Sequence, residues 1–154
     1  MVKLLLAGTG LIGHRHMQHI LEHPDFELVG IIDPIISDKK IEGIKTYSSL
    51  NDVNTVAEGI ILATPTDTHA DLTIKSLEMG MHVLVEKPVA ASLQEADKMI
   101  HASEKTGLSV LVGHHRRHHP LVSETINILN SGRIGRPVAC LLYTSPSPRD
   151  LRKS

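Results

Sequence analysis

At 154 residues the chain is long enough for one domain with a sizeable core and too short for that domain plus a full second one. A formal charge of -1, with acids and bases scattered along the chain, gives no electrostatic footprint for nucleic acid or an anionic membrane and points to a small-molecule partner. The single cysteine, Cys140, excludes an internal disulfide, and no apolar run approaches the roughly 20 residues that span a bilayer, so the cytoplasm is the expected compartment.

The chain opens on an apolar run, residues 2–7, that ends in Gly8-Thr9-Gly10-Leu11-Ile12-Gly13. A helix is expected over residues 11–23, stopped by Pro24, and a second strand over 27–32, ended by Asp33-Pro34. A short strand follows near 45–47, then a buried run at 59–63, a helix over 67–79 closed by Gly80, and a strand at 82–85 leading into Glu86-Lys87-Pro88. Ser92 with Glu95 reads as a capping box that starts a helix running toward Gly107, and residues 108–112 supply the sixth strand. Short apolar runs alternating with helix-period segments define an α/β domain, a doubly wound parallel sheet with helices on its faces.

Beyond the sheet, Val122, Ile126 and Leu129 recur at helical spacing before Gly132, and residues 138–142 read as a strand with no partner in that sheet. The expected organisation is a nucleotide-binding domain over 1–120, a crossover helix and first strand of a second domain over 121–143, and a tail over 144–154. That tail has two prolines and almost nothing apolar to bury, which predicts disorder. It resembles the non-native read-through tails of truncated assembled genes.

Glycines at positions 8, 10 and 13 suit the three tasks of a dinucleotide loop: a tight turn, close approach of backbone to a pyrophosphate, and close packing of helix on strand. A phosphate there is met by unpaired N–H groups and the positive end of the helix dipole, so no lysine is needed. Asp33, at the end of the second strand, is placed to accept hydrogen bonds from ribose hydroxyls and to repel a 2'-phosphate, which favours NAD over NADP. Lys39 and Lys40 nearby are able to neutralise a phosphate, which keeps NADP as the alternative.

Ligands of open parallel sheets bind beyond the carboxyl ends of the strands. The residues at those ends are 8–13, Asp33, Thr64-Pro65, Glu86-Lys87-Pro88 and Gly113-His114-His115. Among them Lys87 is the candidate for chemistry. An ammonium beside a nicotinamide can hydrogen-bond the oxygen whose charge changes during hydride transfer, and a buried lysine can exchange protons once its pKa is lowered.

The glycine loop, Ala63-Thr64-Pro65-Thr66-Asp67-Thr68-His69 and Val85-Glu86-Lys87-Pro88 together resemble the Gfo/Idh/MocA family of oxidoreductases over about residues 1–142. The resemblance implies a nucleotide-binding domain followed by an α/β domain with a large open sheet, assembly into homo-oligomers through that second sheet, and sugar, cyclitol or related polyol substrates. It implies that Lys87 belongs to the catalytic set, that Thr64 and Pro65 line the cofactor, that Glu86 contacts the nicotinamide side, and that His69 fixes the covering loop. Residues 113–120 match the exit from the nucleotide domain; Arg117 fits the family arginine, while His115 stands where asparagine is common and His118 where an aromatic is common. The family's second-domain aspartate and proton-carrying histidine have no counterpart in these 154 residues. This predicts weak NAD binding with little or no turnover by the chain alone.

Eleven histidines raise a metal site, and His114 with His118 and His115 with His119 have i, i+4 spacing. Gly113 and Pro120 argue for a loop there, so no metal is assigned. A second reading, from another class, is a non-catalytic NAD-responsive module; Lys87 argues against it, because a sensor needs no amine at the reacting edge.

Overall fold

The computed structural model describes residues 1–36 and 40–138. The expected strand over 138–142 lies outside them but for its first residue, and Lys39, Cys140 and the tail over 144–154 lie outside them altogether.

In chain order the elements are β1 (Val2–Ala7), α1 (Leu11–Glu22), β2 (Phe26–Ile32), β3 (Lys40–Ile41), β4 (Ile44–Tyr47), β5 (Gly59–Leu62), α2 (His69–Glu78), β6 (His82–Val85), α3 (Leu93–Thr106), β7 (Val110–Val112) and α4 (Pro120–Asn130). Among the described residues, those up to 114 form one compact unit and 115–138 belong to a second. The first unit is a seven-stranded sheet ordered β3-β4-β2-β1-β5-β6-β7, parallel throughout except for β3.

Period-two alternation distributes the sheet's side chains between two layers. Leu5, Ala7, Leu62, Val83 and Val85 pack with Leu77 of α2, with Met81 and with Met99 of α3. Leu6, Leu28, Ile31 and Ile61 face the other way and pack with Met17 and Ile20 of α1. Leu5, Leu6, Ile31 and Leu62 are fully buried, as expected for strands covered on both faces.

Several local outcomes differ from the sequence reading, among them the strand expected over 108–112, which runs only over Val110–Val112. β3 adds a seventh strand; its two residues pair antiparallel with β4 across a turn in which Glu42 and Gly43 both take positive φ, 50° and 80°, the geometry of a type I' hairpin. The helix expected from residue 67 begins at His69, because Thr66–Thr68 wind as a 3-10 turn. At the start of α3 the Ser92 hydroxyl accepts from the Glu95 N–H, but the Glu95 carboxylate reaches back to the N–H of Ala91 rather than of Ser92.

In the second unit, His115–His118 wind as a 3-10 turn, and α4 begins with Pro120 at its first position under a His119 cap. No helix among the described residues is long and apolar enough to cross a membrane.

Candidate active site

Five of the parallel strands, β2, β1, β5, β6 and β7, end level with one another: Ala7 is opposite Ile32 and Leu62, Leu62 opposite Val85, and Val85 opposite Val112. Residues 8, 33, 63, 86 and 113 are therefore each the first beyond the paired ladder. All five are still tied to it by backbone bonds, Gly8 N–H to Ile32, Asp33 to Tyr47, Ala63 to Ala7, Glu86 to Leu62 and Gly113 to Val85. This common edge gathers the sequence-predicted residues of the first unit.

At the glycine turn, Gly8 has φ +89°, and a Cβ there would stand 2.5 Å from the carbonyl oxygen of Ala63. A Cβ on Gly13 would lie 2.0 Å from the carbonyl oxygen of Gly8. Both positions are held by backbone, so helix, turn and β5 close on one another only without side chains. Gly10 differs, because nothing lies within 4 Å of a Cβ built there. Gly10 is also the N-cap of α1; it offers no side-chain cap, and the first turn carries no acidic residue. Leu11 is 74% exposed. An uncapped helix N-terminus under open space fits a dinucleotide's pyrophosphate.

Asp33 is 8% exposed. Its carboxylate accepts from the backbone N–H and hydroxyl of Thr9 and from the N–H of Ile35. Burial pushes this carboxyl up, but the Thr9 hydroxyl and the backbone N–H groups of Ile35, Thr9 and Ile36 outweigh it and hold the group below the ordinary aspartate value. Asp33 thus stays anionic and anchors the glycine turn to the end of β2.

Glu86 occupies the inward side of its triplet. One carboxylate oxygen is 2.9 Å from His16 Nε2 and the other accepts from the Lys87 N–H at 3.2 Å. The Glu86 and His16 side chains are 12% and 23% exposed. Gly113 leaves room for this carboxylate, since a Cβ there would meet Glu86 Oε1 at 2.9 Å. His16 was not among the sequence-predicted site residues. Its signal was weak: it lies one turn beyond Gly13 on α1, and its partner is 70 residues away.

Lys87 follows directly, and the Lys87-Pro88 bond is cis. The expected buried amine is corrected here: Lys87 is exposed, because β6 ends at Val85 and the chain has left the ladder by residue 87. Thr64 and Pro65 form the neighbouring loop, where the Thr68 hydroxyl bonds the Thr64 hydroxyl and the Pro65 carbonyl. His69 is buried beneath it. His115 and Arg117 lie on the exposed 3-10 turn of the second unit. No group of three or more His, Cys, Asp or Glu suited to a metal occurs among the described residues.

A level parallel sheet, an uncapped glycine turn at its first crossover and an acid at the end of its second strand define a dinucleotide-binding domain of the Rossmann class. The family described as "Oxidoreductase family, NAD-binding Rossmann fold", Gfo/Idh/MocA, matches residues 2–114, and the chain belongs to that family. It is 31% identical over 147 residues to the scyllo-inositol 2-dehydrogenase (NAD(+)) of Bacillus subtilis, covering 89% of this chain and 42% of that protein. It is 28% identical over 153 residues to the rhizopine catabolism protein MocA of Rhizobium meliloti, covering 95% and 48%. The WlbA dehydrogenase of Bordetella pertussis, solved with NADH and UDP-GlcNAcA, superposes with a TM-score of 0.78 at 28% identity over 88% of this chain and 41% of that one. The chain thus spans less than half the length of these relatives.

Proposed function

We infer that the chain is the coenzyme-binding half of an NAD-dependent oxidoreductase that moves hydride between nicotinamide and a hydroxyl-bearing carbon of a sugar, cyclitol or related polyol. The observation that carries this reading is the convergence on one sheet edge of the uncapped α1 turn, the anionic Asp33 and the Glu86-Lys87-Pro88 triplet. The names of the relatives, an inositol dehydrogenase and a dehydrogenase solved with a sugar nucleotide, support the substrate class.

NAD, when bound, supplies the hydride acceptor. The turn at residues 8–13 receives the diphosphate through its free N–H groups, and Asp33 accepts from the ribose hydroxyls in place of the rotatable Thr9 hydroxyl. Thr64 and Pro65 line the dinucleotide, and Glu86, oriented by His16, borders the nicotinamide side. Lys87 presents its ammonium to the substrate oxygen. Substrate specificity and oligomer contacts reside in the C-terminal half that the relatives carry.

Titration of the chain with NADH and NADPH, read by nicotinamide fluorescence, tests the coenzyme assignment. NADH is expected to bind at least ~10-fold more tightly, because a 2'-phosphate meets the Asp33 carboxylate, and Asp33→Ser is expected to erase most of that preference. Equal affinity for both coenzymes overturns the preference, and binding of neither overturns the reading.

A second variant addresses His16. His16→Phe keeps the ring's bulk and removes the hydrogen-bond partner of Glu86. NADH affinity is expected to fall by about three- to tenfold while stability changes by less than about 1 kcal/mol, since a part-exposed pair contributes little to folding. Melting curves and the same titration separate the two effects.

A further inference from the structure

His69 is the first residue of α2 and is 1% exposed. Its two ring nitrogens point at two different loops. Nδ1 lies 2.9 Å from the carbonyl oxygen of Pro88, and Nε2 lies 2.9 Å from the carbonyl oxygen of Thr64. Carbonyl oxygens only accept, so both contacts are hydrogen bonds at once only when both ring nitrogens carry a proton; a neutral ring donates to one of the two. A ring buried between these two carbonyl oxygens is tied to one loop by a hydrogen bond in either neutral tautomer and to both when doubly protonated, and in each case its bulk limits how closely the loops approach. With both nitrogens directed at backbone, the ring has no polar atom left for a ligand.

We propose that His69 is a positioning residue that braces the Thr64-Pro65 loop against the Glu86-Lys87-Pro88 loop and so sets the width of the nicotinamide end of the site. This rests on the coenzyme reading above for its functional consequence, and on the geometry alone for the brace. The two loops leave adjacent strands, β5 and β6, whose backbone pairing stops at Leu62 and Val85. Beyond that point the imidazole provides the cross-link that the ladder no longer supplies. The Gly8 turn rests against Ala63 and is anchored separately through Thr9 and Asp33. The brace therefore acts on the nicotinamide half of the site and not on the adenosine half.

Two partial mimics make this testable without reliance on one variant that unfolds. An asparagine amide nitrogen occupies roughly the place of Nδ1 and keeps the bond to Pro88; a glutamine amide nitrogen occupies roughly that of Nε2 and keeps the bond to Thr64. Amide hydrogen exchange of the ligand-free chain is the first readout. His69→Ala is expected to speed exchange at least ~10-fold in both residues 63–67 and residues 86–89, His69→Asn chiefly in 63–67, and His69→Gln chiefly in 86–89. The second readout is ligand affinity. His69→Ala is expected to weaken NADH binding about tenfold and to leave ADP-ribose, which lacks nicotinamide, within about twofold.

Unchanged exchange in both loops of His69→Ala, or the same loop loosened by Asn and by Gln, overturns the brace. Loop-selective exchange accompanied by equal loss of NADH and ADP-ribose affinity overturns its role at the nicotinamide end. Absence of any NADH or ADP-ribose binding by the parent chain, with loop-selective exchange intact, leaves the brace standing and removes the coenzyme reading instead.

Discussion

Gly13→Ala is expected to lower NADH affinity by at least ~100-fold and to destabilise the domain by about 1–3 kcal/mol or more, the usual range for forcing extra volume into a packed site. The methyl group would stand 2.0 Å from the Gly8 carbonyl oxygen and 2.8 Å from its carbon, and neither atom can rotate away. Relief requires α1 to lift off the end of β1, which moves the very N–H groups proposed above to receive the diphosphate. Gly10→Ala is the matched control. Gly10 has φ -63° and ψ -174°, a conformation open to any L residue, and a Cβ there meets nothing within 4 Å. Its stability is expected to stay within about 0.5 kcal/mol of the parent, as for surface substitutions generally. Its NADH affinity is nevertheless expected to fall at least ~10-fold, because the methyl enters the space over the helix N-terminus that a diphosphate needs. Thermal melts and fluorescence titrations of the two variants give opposite patterns: stability and binding lost together at 13, binding alone at 10. Normal NADH affinity in both variants places the dinucleotide elsewhere.

Lys87→Met is expected to lower the rate of hydride transfer by about 10²–10⁴, the range for removal of a positioned acid–base group, while NADH binds within about threefold of the parent. The split follows from position: Lys87 is exposed, beyond the last ladder residue Val85, and its backbone N–H rather than its ammonium is what contacts Glu86. Losing the amine therefore leaves the packing of the edge intact. The measurement belongs on this domain joined to the C-terminal half that its relatives carry, with inositols and other polyols as substrates and single-turnover formation of NADH as the signal. Lys87→Arg keeps a cation but not a proton donor of comparable acidity, and is expected to recover little of the rate. A full rate in Lys87→Met removes the lysine from the chemistry.

The sheet was legible because its strands are short apolar runs that end at glycine, proline or acid, and burial on both faces demands such runs. Residues 2–7 and 82–85 match β1 and β6 to the residue. β3 was not legible: Lys40–Ile41 carries no periodicity, and only the Gly43 turn marks the hairpin. The start of α2 was read two residues early, because nothing in Asp67-Thr68 distinguishes a 3-10 turn from a first α turn. At the site, the glycine loop, Asp33 and the triplet announced themselves through spacing relative to strand ends. The ties between them did not. Thr9 to Asp33, His16 to Glu86 and His69 to Pro88 span 24, 70 and 19 residues, and no local pattern encodes which polar side chain meets which once the sheet has formed. His69 stood out only through the family resemblance, and its two backbone partners emerged only from the fold.

Among the described residues both outer strands of the sheet are very short, two residues in β3 and three in β7. A neighbouring molecule seeking to extend the sheet by strand addition finds at most a handful of backbone groups to grip on either side, and on the β3 side a lysine and a tight reversal as well. The apolar strands buried on both faces, β1, β2, β5 and β6, are thereby confined to the interior of the sheet, where strand addition cannot reach them.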